Sequence, residues 1–159
     1  MRFNPYDDVF HQSLAASSVA IQSLTGSSAV KLAGVDTQVA NPLESVMFHL
    51  RAEIASGTPD AATVAWKLQE STDDVDGDYT DAKDNTGTVI GATLNVHTVA
   101  ADAYARIEGI AVNRKRWLRI VLTPAFTNGT SPAILTYGEF IGAPGSGSNL
   151  PVRTTVSNT

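Results

Sequence analysis

The sequence predicts an all-β protein, an antiparallel β-sandwich or jelly-roll-like fold with extended N- and C-terminal arms. Three observations predict it. Apolar and polar residues alternate with a period of two along several separate runs. The gaps between those runs carry turn chemistry. No helical pattern of about 10–15 residues is interposed, which disfavours alternating strand–helix units.

The elements follow in chain order. A weak strand covers residues 29–35. Residues 45–54 then alternate cleanly, with Val46, Phe48, Leu50, Ala52 and Ile54 on one face and Ser45, Met47, His49, Arg51 and Glu53 on the other. Residues 56–60 form a loop. Residues 64–70 repeat the pattern, with Val64, Trp66 and Leu68 inward, so Trp66 is expected in the core. Residues 73–78 are an acidic turn. Weaker strands cover residues 87–94 and 103–110. Residues 116–123 set Leu118, Ile120 and Leu122 against Trp117, Arg119 and Val121. Asn128-Gly129 signals a tight turn. Residues 133–141 form a last strand, with Leu135, Tyr137 and Ile141 on one side.

The ends differ from this middle. Residues 1–28 mix Phe3, Tyr6 and Phe10 with a Ser/Ala-rich run, and residues 143–159 are rich in Gly, Ser, Pro and Thr. Such compositions bury too little apolar surface to offset their ordering entropy alone. They are expected to be arms, either frayed termini or tails that order on a neighbour, with Phe3, Tyr6 and Phe10 at one end and Leu150 and Val152 at the other as the candidate anchors. Residues 29–142 are the expected sandwich domain.

Composition narrows the function. The chain has 159 residues, enough for one domain with its own core. Only 17% are charged, so the surface leans on uncharged polar residues suited to packing against other proteins. Net charge is −5, which argues against an electrostatic grip on nucleic acid. There is no cysteine, which excludes disulfides and thiolate-ligated metal. No apolar run is long enough to form a membrane helix. Residues 1–10 contain Asp7 and Asp8 and no apolar stretch, so a secretory leader is not expected.

Motifs for chemistry are weak. Asp74, Asp76 and Asp78 have the alternate spacing of a calcium loop, but Gly77 precedes the third aspartate and Asn85 stands where the closing glutamate belongs. A solvated turn is the expectation there. His11, His49 and His97 lie far apart, and a strand would hold His49 and Glu53 roughly 13 Å apart. No G-x-S-x-G elbow occurs, and residues 142–148 lack a phosphate-loop lysine. Neither enzymatic activity nor a cofactor is therefore expected. The basic cluster is Arg114-Lys115-Arg116-Trp117-Leu118-Arg119. It reads as a solvated turn leading into a strand with outward arginines, and Arg114, Arg116, Trp117 and Arg119 become candidates for contact with an acidic protein patch. Trp117, Tyr104 and Tyr137 are the candidates for a carbohydrate-binding sandwich.

The order of certain pieces resembles the head decoration, or cement, proteins of tailed bacteriophages. The pieces are Gly34-Val35-Asp36-Thr37, then Glu44-Ser45-Val46-Met47-Phe48, then Trp66-Lys67-Leu68-Gln69-Glu70-Ser71-Thr72-Asp73 running into Tyr79-Thr80-Asp81. Arg114 to Arg119 follow, then the strand ending at Gly142, then Leu150-Pro151-Val152. The resemblance covers roughly residues 30–152. It implies a virion structural protein on the outer capsid surface. Its partners would be the major capsid protein and neighbouring copies of itself in a homo-oligomer, without nucleic acid or membrane. A tail, neck or fibre component is the nearest alternative, and a carbohydrate-binding module the next.

Overall fold

Alternation along the two longest predicted runs decides the architecture. In β5 (Leu43–Ser56), Phe48, Leu50 and Ala52 are buried while Met47, Arg51 and Glu53 are exposed. In β6 (Ala61–Ser71), Ala62, Val64, Trp66 and Leu68 are buried and the residues between them are half-buried. Each strand therefore has one wet and one dry face, and two such faces must meet. They do so in a computed structural model that describes residues 10–14, 21–37, 43–96, 101–108, 114–144 and 154–158.

The first sheet has the order β1 (Phe10–Leu14), β11 (Ala133–Pro144), β5, β9 (Ala101–Glu108) and β12 (Thr154–Asn158). β2 (Ile21–Thr25) follows β1 along the same edge of β11, opposite residues 133–137. The second sheet has the order β3 (Val30–Lys31), β10 (Trp117–Thr127), β6 and β7 (Thr80–Asp81). β4 (Val35–Asp36) follows β3 along β10, and β8 (Gly91–Asn95) shares the far edge of β6 with β7. Every pairing is antiparallel. The protein is an all-β antiparallel sandwich, and the described residues contain no α-helix, only a short 3-10 turn at Asp76–Asp78.

The core lies between the sheets. Phe48 packs its ring 5.1 Å from Trp66 across the interface and 5.7 Å from Phe140 beside it. Leu24, Leu50 and Ile134 from the first sheet meet Val64, Leu68, Leu118, Ile120 and Leu122 from the second. Trp66 is thus a core residue, as its face predicts.

Three features of the structure go beyond the sequence reading or differ from it. The Asn128-Gly129 pair takes the left-handed conformation, at φ 57° and 90°. It does not close a hairpin within one sheet; it carries the chain from β10 in one sheet to β11 in the other. A second corner, residues 57–60, links β5 to β6 in the same way. The two corners hold each other, with Thr130 N–H donating to Gly57 O at 3.2 Å and Asp60 N–H to Thr127 O at 2.9 Å. Gly57 has φ 87°, and a Cβ there would strike the Pro132 backbone.

Second, the segment expected as an N-terminal arm, residues 1–28, contributes β1 and β2, and Leu24 is fully buried in the core. β11 likewise runs on to Pro144, and β12, inside the expected C-terminal arm, pairs with β9. Ladder hydrogen bonds from a long partner strand stabilise such polar segments, and local composition does not record them. Third, the weak strand expected at residues 29–35 is split into β3 and β4 around Leu32, whose N–H still donates to Ile120 O at 2.9 Å.

Candidate functional site

Strand alternation places Trp117, Arg119 and Val121 of β10 on the outer face of the second sheet. A solvated arginine is expected there. Instead Arg119 is buried, its side chain only 6% exposed. The cause is residues 72–79, which cross over it as a strap. The Arg119 guanidinium lies 3.9 Å from the centre of the Tyr79 ring. Its Nε donates to Gln69 Oε1 at 3.0 Å, Nη1 pairs with the Asp76 carboxylate, and Nη2 reaches Asp76 O at 3.3 Å. A cation stacked on an aromatic ring and forked between acceptors suits the planar guanidinium better than an ammonium.

The network spreads from there. Lys31 Nζ binds Asp76 Oδ2 at 2.7 Å. The Lys31 hydrogen bond, then that of Arg119, holds the Asp76 carboxyl below its usual range. Tyr79 donates its hydroxyl to Asp74 Oδ1 at 2.7 Å. Burial, reinforced by that acceptor, pushes the Tyr79 phenol well above its ordinary value, so it remains a donor. Gly34 lies under this pair, and a Cβ there would collide with the Tyr79 hydroxyl and the Asp74 carboxylate. Gln69 turns its amide to Asp81 Oδ1 at 2.8 Å, and Lys67 Nζ lies 2.8 Å and 2.9 Å from the two Asp81 oxygens. Lys67, then Gln69, lowers the Asp81 carboxyl below its usual range.

The remaining basic residues are also engaged. Arg114 is 7% exposed, bonded to Lys83 O at 2.5 Å and 3.4 Å from Glu70 Oε2. Arg116 grips Asp36 through two hydrogen bonds, at 2.9 and 2.6 Å, and lies 5.7 Å from the centre of the Trp117 ring. Trp117 is half-buried beside it.

The structure therefore brings Arg114, Arg116, Trp117 and Arg119 together but spends their charges within the molecule. This corrects the picture of outward, solvated arginines for Arg114 and Arg119, whereas Arg116 stays exposed while it grips Asp36. Asp74 and Asp76 serve the same strap, and no group of three or more His, Asp or Glu side chains converges on one point among the described residues. Asp78 contributes a backbone turn, its N–H donating to Val75 O at 3.0 Å. Phe10 opens β1, opposite Gly142. Phe3, Tyr6, Leu150 and Val152 lie outside the described residues. Of the sugar-platform candidates, Tyr137 lies on the outer face of the first sheet, beside Arg51, Glu53 and Leu135, on the opposite side of the sandwich from Trp117. One sugar chain cannot stack on both.

Sequence reasoning missed Lys31, Gly34, Lys67, Gln69 and Tyr79 as partners. A signal was present: Gln69 and Arg119 are directly opposite in the β6–β10 ladder, on the wet face of both strands. Neither a protein-family model nor a curated protein matches the chain.

Proposed function

We propose that this protein is a virion structural component that binds the outside of an assembled bacteriophage capsid and stabilises it. The reading rests on the resemblance of its sequence pieces to decoration proteins. The observation that carries it is how those pieces meet. Gly34, Asp36, Lys67, Gln69, Glu70, Tyr79, Asp81, Arg114, Arg116 and Arg119 come from pieces separated by tens of residues, and they meet in three groups: Arg119 with Gln69 and Tyr79, extended through Gln69 to Asp81 and Lys67 and with Gly34 beneath Tyr79; Arg114 with Glu70; and Arg116 with Asp36. Three of the pieces behind the resemblance thus support one another in the folded chain.

The mechanism is linkage. A rigid sandwich that binds only the assembled shell lowers the free energy of that shell by mass action. Its many identical copies add modest contacts through multivalency, and association with its own copies raises the effect. The low charge fraction, 17%, suits a surface that packs against protein at physiological salt.

The test is co-sedimentation of the purified protein with empty shells of the virus whose genome encodes it. Saturation at a copy number matching a symmetry site of the shell is expected. Absence of binding by protein that remains folded contradicts the proposal and points to a tail, neck or fibre location.

A further inference from the structure

The Asn128-Gly129 corner has no part in the strap, and it is the chain's only Asn-Gly pair. We propose that Asn128 is a deamidation site, and that Asp60 is the brake that slows it. The inference is independent of the functional reading.

Three features make the site. Asn128 and Gly129 are exposed, so water and base reach them. Gly129 has no side chain to shield its amide nitrogen, and its N–H has no hydrogen-bond partner among the described residues. That nitrogen is the nucleophile. It loses its proton and attacks Cγ of Asn128. A nitrogen–carbon bond forms, the Cγ–Nδ2 bond breaks, and ammonia leaves. Water then opens the cyclic imide at either carbonyl, giving aspartate or isoaspartate.

The brake is geometric. Asn128 Nδ2 donates to Asp60 Oδ2 at 2.5 Å, which pins the amide that must rotate towards Gly129. Asp60 is itself held by its N–H on Thr127 O at 2.9 Å, and Thr130 N–H is held on Gly57 O at 3.2 Å. Ring closure requires Asn128 to leave its left-handed conformation, against all three bonds. The product is poorly tolerated. A new carboxylate faces Asp60 where an amide donor stood, and two like charges at hydrogen-bond distance repel. The isoaspartate form also lengthens the backbone beside Gly129, where even a Cβ would meet Gly57 O and the Pro59 backbone.

The test is peptide mapping of the full chain held at mildly alkaline pH, comparing wild type, Asp60→Ala, and wild type in urea. The Asn128 peptide is expected to gain acid faster than peptides carrying Asn85 or Asn95, several-fold faster in Asp60→Ala, and fastest in urea. An intact Asn128 in urea-unfolded protein overturns the site. Equal rates in folded and urea-unfolded wild type overturn the brake, and do so even if Asp60→Ala fails to fold. Asn128→Asp is expected to melt below wild type, and an equal or higher Tm overturns the repulsion at the corner.

Discussion

Arg119 sits where alternation puts a solvent-facing side chain, yet it is buried while its partner carboxylate, Asp76, stays 66% exposed. The asymmetry decides what each deletion does. Asp76→Ala leaves a buried guanidinium short of an acceptor, whereas Arg119→Met leaves a carboxylate that water and Lys31 can still satisfy. Asp76→Ala is therefore expected to lower the urea midpoint more than Arg119→Met, and the reverse order would contradict this account of the strap. Leu50 and Ile120 are fully buried on facing sheets, so either change to Ala should cost about 2–5 kcal/mol in urea unfolding. A loss under about 0.5 kcal/mol, the size usual for surface changes, would place these residues on the wrong face.

The strap and the strand β7 that follows it are held by depressed carboxylates. Asp76 and Asp81 have folded-state pKa values below the ordinary value, so the unfolded chain takes up protons first as pH falls. Their stabilising contribution is complete above the ordinary aspartate value of about 3.9. It is lost as pH drops through the lower folded values. Thermal melts should thus be flat near neutrality and fall below about pH 4, with a smaller fall in Asp81→Asn. An equally steep fall in that variant would remove Asp81 from the explanation. The strap also shows where the sequence is mute. The period-two pattern of Trp66 to Gln69 and of Trp117 to Val121 names the wet faces, because alternation is local. What covers a wet face is a long-range fact. Arg119 and Asp76 are 43 residues apart, and nothing in either neighbourhood names the other. β1 and β2 were hidden for the same reason, since β11 supplies their ladder partners.

At the scale of the whole molecule, the fold class was legible because the core strands are long and strongly patterned. Phe48, Leu50, Trp66, Leu68, Leu118, Ile120 and Leu122 all lie on the faces their spacing predicts, and all are buried. The way the sheets are joined was not legible, because Asn128-Gly129 specifies a conformation and leaves open which sheet the chain enters next. The surface that would meet a capsid is likewise a property of the partner as much as of this chain. The central claim is that binding stabilises the assembled shell, and the most direct measurement is the temperature at which purified empty shells rupture, with and without this protein. The account predicts a rise that saturates once every symmetry-related site is filled. A rupture temperature unchanged at saturating protein would contradict it.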